Sequence, residues 1–176
     1  SGDLLPSETL SLIKKNKIVL KGPLTTPIGG GFRSINVTLR KEFDLYANVR
    51  PVITFEGTKS RFSDVNLVTV RENTEGMYCG EGQTLDDTGC IAEAKSVITK
   101  DGAERVIRYA FEYAKKNDRK KVTIVHKANI LKTTSGLFLK LGQEIAKEYP
   151  GIECNDSIVD ATCMRLVMDP SQFDVI

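Results

Sequence analysis

Three arginines, Arg40, Arg50 and Arg71, have the side chains whose chemistry is easiest to interpret from this sequence. A guanidinium group can bind a carboxylate through two parallel hydrogen bonds, so three that converge on one cleft would suit a dicarboxylic or tricarboxylic acid. Their spacing is equally compatible with three ordinary surface arginines. The pattern therefore predicts a polycarboxylate site only if the fold brings the three side chains together.

Three further residues have side chains that suit acid, base or metal chemistry. Tyr78 and Lys127 are groups that can exchange protons, and Asp160 could bind a divalent cation. Each also has a structural explanation, as a packed aromatic ring, a solvated charge and a helix N-cap respectively. His126 is the only histidine, and its position beside Lys127 favours a structural role.

The composition is that of a globular protein, because 176 residues with 40% hydrophobic and 27% charged side chains can bury a core. A net charge of +2 gives no reason to expect nucleic acid or an anionic membrane as the main partner. No apolar run approaches the ~20 residues of a membrane span, and there is no signal-peptide pattern. The 4 cysteines lack metal or dithiol spacing and predict reduced thiols in an intracellular protein.

The hydrophobic periodicity predicts strands and helices that alternate along the chain, as in an α/β protein whose mixed sheet is flanked by helices. The predicted elements are a short helix capped by Ser7, a strand at Lys17–Leu20, a glycine-rich loop at Gly22–Gly31, a helix from Ser34, strands at Leu45–Phe55 and Asn66–Arg71, a β-hairpin arm at Tyr78–Thr99 that includes a strand at Ile91–Ile98, a helix over Ala103–Ala114, a strand at Val122–Val125, a helix at Ser135–Lys147, a strand at Ile152–Val159, a helix at Ala161–Met168 and the start of a strand at Phe173–Ile176.

Six segments follow one another along the chain: Gly22–Gly31, Arg33–Arg40, Asp44–Pro51, Arg71–Tyr78, His126–Lys132 and Val159–Ala161. Together they resemble, in order, the motifs of the isocitrate and isopropylmalate dehydrogenase family. The glycine-rich segment alone would mean little, because it lacks the established phosphate-binding patterns. Six ordered motifs over essentially the whole chain are improbable by coincidence.

The resemblance implies a substrate for the arginines. In the family, residues at the positions of Arg40, Arg50 and Arg71 hold the malate core that its substrates share. Ser34 and Asn36 match the isocitrate type, in which short polar side chains receive the third carboxylate, whereas isopropylmalate enzymes have apolar residues there. The resemblance therefore implies isocitrate as substrate.

The resemblance also implies roles for the remaining candidates. Tyr78 corresponds to the general acid of the family and Lys127 to its general base. Thr26 and Asn129 are expected to contact a nicotinamide cofactor, NAD or NADP. Asp160 corresponds to one carboxylate ligand of Mg²⁺ or Mn²⁺.

The resemblance divides the chain into three parts. Residues 1–45 are expected to belong to a large nucleotide-binding domain, residues 46–77 and 100–176 to a small α/β domain, and residues 78–99 to a hairpin that clasps a second subunit. Family motifs that normally precede and follow these residues are absent, so the nucleotide domain is expected to be incomplete and the fragment inactive alone. A homodimer is expected, with Lys127, Asn129 and Asp160 reaching the neighbouring subunit's site.

Other functions remain open at this stage. The enzyme could act on homoisocitrate or 3-isopropylmalate, or the chain could be a non-catalytic regulatory or dimerisation subunit. The expected location is the cytoplasm, or the mitochondrial matrix in a eukaryote.

Overall fold

The computed structural model describes residues 3–26 and 34–176. The chain divides into two compact units, Ser1–Leu45 and Tyr46–Ile176. The assignment of these residues to a nucleotide-binding domain, a small domain and a clasp remains a prediction.

The described residues of the first unit form two short helices, α1 (Ser7–Asn16) and α2 (Ile35–Glu42). The predicted N-cap role of Ser7 is wrong, because the cap position is Pro6 and no side chain bonds there. Ser7 is instead the first helical residue, and its carbonyl oxygen accepts a hydrogen bond from Ser11 Oγ at 3.0 Å. The prediction of a helix at this place is confirmed.

The strand predicted at Lys17–Leu20 is wrong. Lys17 has a left-handed φ of 57°, which interrupts an extended backbone, and the side chains of Ile18 and Leu20 are exposed. A short apolar segment does not form a stable strand without a neighbour to pair with. Of the glycine-rich loop, residues 22–26 have no regular structure, as predicted, and residues 27–31 lie outside the described residues.

A mixed sheet forms the centre of the second unit. Its strands and those of the arm are β1 (Ala47–Ile53), β2 (Asn66–Glu72), β3 (Thr84–Leu85), β4 (Ala92–Glu93), β5 (Lys121–His126) and β6 (Glu153–Ile158). β1 is antiparallel to β2, and β5 is parallel to β6. Val175 pairs in parallel with both Val68 and Val122, so the terminal segment, residues 174–176, lies between β2 and β5. The start of a strand predicted here is confirmed.

Three helices complete the second unit: α3 (Lys100–Lys116), α4 (Thr134–Ala146) and α5 (Val159–Met168). The chain runs from β2 through α3 to β5, and from β5 through α4 to β6, in one direction across the sheet. From β6 it returns through α5 to the terminal segment in the opposite direction. Because such crossovers are right-handed, α3 and α4 lie on one face and α5 on the opposite face. The predicted α/β class, a mixed sheet flanked by helices, is confirmed.

Helix α3 supplies most of the core, as its spacing predicts. All six apolar positions expected on one face are buried: Ala103, Val106, Ile107, Ala110, Phe111 and Ala114. Phe111 is fully buried and stacks on Tyr149 with ring centroids 5.0 Å apart. The helix begins after Thr99, whose hydroxyl accepts a hydrogen bond from the Gly102 N–H at 3.0 Å. An amphipathic helix with a side-chain cap therefore anchors the sheet.

The N-cap interpretation of Asp160 is wrong, because α5 follows β6 without a linker and its cap is Ile158. Asp160 lies in the first turn of the helix, where a carboxylate complements the helix dipole. No described helix is both long enough and apolar enough to cross a membrane. All four cysteines are free thiols, as their spacing predicts.

The predicted hairpin is present, but it is shorter than expected. β3 and β4 pair over only two residues each. The strand predicted at Ile91–Ile98 is broken, because Val97 pairs with Gly76 instead of extending β4. The Asp86 carboxylate organises the turn by accepting hydrogen bonds from the N–H groups of Cys90 and Ile91, at 2.7 and 2.8 Å.

Candidate active site

Three parallel strands end at the same edge of the sheet. β2, β5 and β6 share one direction, because the terminal segment is parallel to β2 and β5, and β5 is parallel to β6. Arg71 lies near the end of β2, Lys127 follows β5, and Asp160 follows β6. Ligands of open α/β sheets usually bind outside the carboxyl ends of the strands. The sheet thus brings three of the predicted site residues to a suitable edge.

Arg71 and Tyr78 are in direct contact. Arg71 Nη2 donates a hydrogen bond to Tyr78 Oη at 2.5 Å, and Arg71 Cζ lies 5.1 Å from the centre of the tyrosine ring. Tyr78 occupies a single 3₁₀ turn, Met77–Cys79, that follows β2. A cation over an aromatic face and a charged hydrogen bond both favour this pairing. The predicted acid and one predicted carboxylate-binding group therefore lie side by side.

Arg50 shares a sheet face with Arg71. In the antiparallel register, Arg50 lies opposite Thr69 and Arg71 lies opposite Asn48, so the two arginines are diagonal neighbours on the same face. Arg50 Nε donates a hydrogen bond to Asn48 Oδ1 at 3.3 Å, and its side chain is exposed. Two guanidinium groups and a phenol thus project from one side of the β1–β2 pair.

The loop between β2 and Tyr78 is fixed by two glutamates. The Glu72 carboxylate accepts hydrogen bonds from the N–H groups of Thr74 and Glu75, at 2.9 and 2.7 Å. The Glu75 carboxylate accepts from the Thr99 N–H at 3.0 Å and from the Thr99 hydroxyl at 2.5 Å. This Glu75–Thr99 contact ties the loop that carries Tyr78 to the start of α3.

Replacing Gly102 by alanine should break the Glu75–Thr99 contact, because the new Cβ would lie 2.2 Å from Glu75 Oε1. Gly136 occupies the same third position in α4, and a Cβ there would meet nothing within 4 Å. We expect Gly136→Ala to stabilise the protein by about 0.5–1 kcal/mol, and Gly102→Ala to be less stable than this control by about 0.5–1.5 kcal/mol, the contribution of a displaced hydrogen bond. Urea unfolding measures the free energy of unfolding of both variants. An equal increase in Gly102→Ala and Gly136→Ala would contradict the proposed role of Glu75.

Lys127 and Asp160 form an ion pair across 33 residues of sequence. Their side chains are 30% and 67% exposed, so water and salt screen the interaction. Within the described part of the chain, no hydrogen bond or ion pair joins either residue to Arg71 or Tyr78. The predicted base and acid therefore belong to separate contacts in this chain.

His126 has the structural role that its position favours. Its side chain is almost entirely buried; Nε2 lies 2.9 Å from Asp156 Oδ2, and Nδ1 accepts a hydrogen bond from the Ala128 N–H at 3.0 Å. Nδ1 as acceptor leaves Nε2–H as donor to the aspartate. These bonds fix the segment that carries Lys127. Asn129 is an exposed residue in the turn that follows.

The described residues do not form a metal site by themselves. No group of three or more histidine, cysteine, aspartate or glutamate side chains in residues 3–26 and 34–176 is arranged to hold an ion. Asp160 offers one carboxylate, which already contacts Lys127. Mg²⁺ usually needs one or two carboxylates supplemented by other oxygen ligands, so further ligands would have to come from outside these residues.

The other predicted site residues belong to the first unit. Ser34 occupies the N-cap position of α2, but its side chain makes no capping hydrogen bond. Asn36 and Arg40 lie within α2 and are half-buried, and Thr26 is exposed. Their convergence with Arg50 and Arg71 remains a prediction.

Comparison with known proteins decides the family. The protein-family model described as isocitrate/isopropylmalate dehydrogenase matches residues 1–176 of the chain. The chain belongs to this family. The family predicted from the six sequence motifs is therefore confirmed.

Relatives of this dehydrogenase family differ in their named activities. The chain is 52% identical to the mitochondrial NAD isocitrate dehydrogenase regulatory subunit 2 of Arabidopsis thaliana, over 99% of this chain and 48% of that protein. It is 48% identical to the chloroplastic 3-isopropylmalate dehydrogenase of Solanum tuberosum, over 100% of this chain and 49% of that protein. The crystal structure of isocitrate dehydrogenase from Methylococcus capsulatus matches with a TM-score of 0.94 and 62% identity, over 99% of this chain and 52% of that chain. The chain thus spans about half the length of these relatives.

The roles of Glu72 and Glu75 in positioning the loop that carries Tyr78 were not predicted from the sequence. The available signal was local: a carboxylate at the end of a strand, followed by Thr74 with its N–H and hydroxyl donors, favours a loop closed by side-chain bonds. The partner of Glu75, Thr99, is 24 residues away and could be found only from the structure.

Proposed function

We propose that the protein containing this chain is an isocitrate dehydrogenase, which oxidises and decarboxylates isocitrate to 2-oxoglutarate with NAD or NADP. The observation that carries the proposal is the contact between Arg71 and Tyr78 on the sheet face that also bears Arg50. Guanidinium groups bind substrate carboxylates, and a phenol held beside them can deliver a proton to the carbon between those carboxylates. The site therefore combines recognition with acid catalysis.

The remaining steps need a base and an oxidant. Lys127 would accept the proton of the C2 hydroxyl as hydride leaves C2, and Tyr78 would protonate C3 after CO₂ has departed. A nicotinamide nucleotide, when bound, supplies the hydride acceptor, and Thr26 and Asn129 are the side chains that would contact it. Lys127 contacts Asp160 in this chain, so that contact would have to be released before Lys127 reaches the substrate hydroxyl.

Substrate choice follows from Ser34 and Asn36, which would receive the third carboxylate. Overall similarity supports the same choice, because the chain is 62% identical to the solved isocitrate dehydrogenase and 48% identical to the 3-isopropylmalate dehydrogenase. The test is the kcat/KM of the whole protein for isocitrate, homoisocitrate and 3-isopropylmalate. We expect isocitrate to be preferred; a preference for either other acid would overturn the substrate assignment.

A second candidate function is a regulatory subunit, which the relative named regulatory subunit 2 favours. Tyr78 and Lys127 are both present, and a subunit without catalysis would not need them. The whole protein purified alone should therefore reduce NAD or NADP. Activity that appears only after a partner subunit is added would favour the regulatory function.

A metal ion, Mg²⁺ or Mn²⁺, is part of the proposal for the whole protein. Asp160 would contribute one oxygen ligand once its contact with Lys127 is released. Ligands from beyond the described residues would complete the set.

The hairpin arm supports a homodimer as the working form. Leu85 in β3 and Ile91 beside β4 are exposed, and β3 and β4 form a two-stranded sheet whose outer edges have no strand partner among the described residues. Exposed apolar side chains and open strand edges favour association with a second copy. Sedimentation at micromolar concentration should give a dimer; a monomer would remove this part of the proposal.

The turn of the arm should depend on pH. Hydrogen bonds from the Thr88 hydroxyl and the Ile91 N–H lower the pKa of Asp86 below its ordinary value of about 3.9. Because the folded pKa is depressed, the stabilisation is present above that ordinary value and is lost as the pH falls through the lower folded value. The protection factors of the Cys90 and Ile91 amides, measured by NMR and corrected for the pH dependence of intrinsic exchange, should therefore fall as the pH drops through the folded pKa of Asp86. The Asp86→Asn variant should lose this pH dependence; if it keeps it, the carboxylate is not responsible.

A further inference from the structure

Arg105 is a half-buried arginine of α3 that belongs neither to the core face of the helix nor to the predicted substrate site. Its guanidinium carbon, Cζ, lies 4.6 Å from the centre of the Tyr46 ring, just before β1. Tyr46 also contacts Tyr109 of α3 edge to face, with ring centroids 6.3 Å apart. A cation is attracted to an aromatic face, and the second ring holds the first in place. These contacts therefore restrict the orientation of the guanidinium group.

Hydrogen bonds lead from Arg105 to the end of β2. Arg105 Nη2 donates to Thr74 Oγ1 at 3.2 Å, and the same hydroxyl donates to Glu72 Oε1 at 2.6 Å. A hydroxyl can accept one hydrogen bond while it donates another, so Thr74 can serve both neighbours at once. A cation at one end of such a chain and a carboxylate at the other strengthen both bonds.

Glu72 is the member of this chain that orders the loop before Tyr78. Its carboxylate accepts hydrogen bonds from the N–H groups of Thr74 and Glu75, at 2.9 and 2.7 Å. The turn that carries Tyr78 begins directly afterwards, and the Tyr78 N–H donates to the Glu75 carbonyl at 3.3 Å. Glu72 also follows Arg71, the residue that contacts Tyr78. Consecutive contacts thus connect α3 with both partners of the Arg71–Tyr78 pair.

We propose that Arg105 is a positioning residue for Tyr78, which acts through Thr74 and Glu72 to hold the phenol against Arg71. Arg105 lies on the helix that supplies most of the core, and a rigid element can hold a loop more precisely than the loop can hold itself. The catalytic consequence rests on the proposed function, because it assumes that Tyr78 delivers a proton. The ordering of the loop does not depend on that function.

Two substitutions of Thr74 separate this role from simple packing. Thr74→Val keeps the branched shape but removes the hydroxyl, so kcat of the whole protein for isocitrate should fall by roughly 10–100-fold, with KM nearly unchanged, because the acid is displaced after substrate has bound. Thr74→Ser keeps the hydroxyl and should retain most of the activity. A packing role predicts the opposite order, and that result would overturn the proposal.

Arg105→Met should lower kcat to a similar extent, and Arg108→Met is the matched control. Arg108 lies on the same helix and donates two hydrogen bonds to Glu148, at 2.6 and 2.8 Å, so its substitution also removes a paired guanidinium. Its kcat should equal that of the unmodified protein. In a Tyr78→Phe background, Arg105→Met should cost less than about a further twofold, because residues that act as a unit are not additive. The same fold-loss in both backgrounds would overturn the proposal.

Hydrogen exchange tests the ordering of the loop without any measurement of activity. The Thr74 and Glu75 amides should exchange roughly tenfold faster or more in Arg105→Met than in the unmodified protein or in Arg108→Met. Unchanged protection in Arg105→Met would overturn the proposal. If the unmodified whole protein does not oxidise isocitrate, the proposed function fails, whereas faster exchange confined to Arg105→Met still supports the role of Arg105 in holding the loop.

Discussion

Replacing Tyr78 by phenylalanine should lower the kcat of the whole protein for isocitrate by about 10²–10⁴-fold. The substitution removes the hydroxyl that accepts the hydrogen bond from Arg71 but leaves the ring beneath the guanidinium. Ring packing and substrate affinity should therefore change little. Steady-state kinetics with saturating cofactor measures the effect.

A kinetic isotope effect distinguishes the proposed acid from a structural residue. If proton delivery to C3 becomes rate-limiting in Tyr78→Phe, the effect of deuterium at C2 of isocitrate on kcat should fall toward one, because hydride transfer no longer limits the rate. An unchanged kcat, or a slower rate with an undiminished isotope effect, would contradict the role of Tyr78 as general acid.

Replacing Phe111 by alanine should cause the largest loss of stability, about 3–5 kcal/mol. The side chain is fully buried within α3 and stacks on Tyr149, so truncation removes apolar burial and leaves a space among rigid neighbours. Denaturant unfolding of the chain measures the change in free energy of unfolding.

Phe55→Ala is the matched control for this stability prediction. Phe55 is exposed, so the same change of side chain should alter the free energy of unfolding by no more than about 0.5 kcal/mol. Equal losses from the two variants would show that Phe111 is not a centre of the core.

Elements with strong local signals could be predicted from the sequence. The apolar spacing of α3 identified Phe111 and its neighbours as core residues, because a buried helical face imposes one periodicity over 17 residues. The strands around Arg50 and Arg71 were also identified, and their antiparallel register then places both arginines on one face. The direct contact of Arg71 with Tyr78 depends on loop geometry that spacing alone does not determine.

Features set by long-range pairing could not be predicted. Lys17–Leu20 has an apolar pattern typical of a strand, but strand formation depends on a partner that local sequence does not reveal. The ion pair between Lys127 and Asp160 depends on β5 and β6 ending side by side. The sequence also does not reveal that Glu75 lies against Gly102, since that contact joins a loop to a distant helix.

The central claim, that Arg50 and Arg71 bind substrate carboxylates, is tested most directly by calorimetric titration of the whole protein with isocitrate. Arg50→Met and Arg71→Met should each weaken binding by about 10–200-fold, as expected for a lost hydrogen bond between charged groups. Arg61→Met, at an exposed arginine beside Phe62, is the matched control and should bind as the unmodified protein does. Equal affinities for all three variants and the unmodified protein would contradict the proposed substrate site.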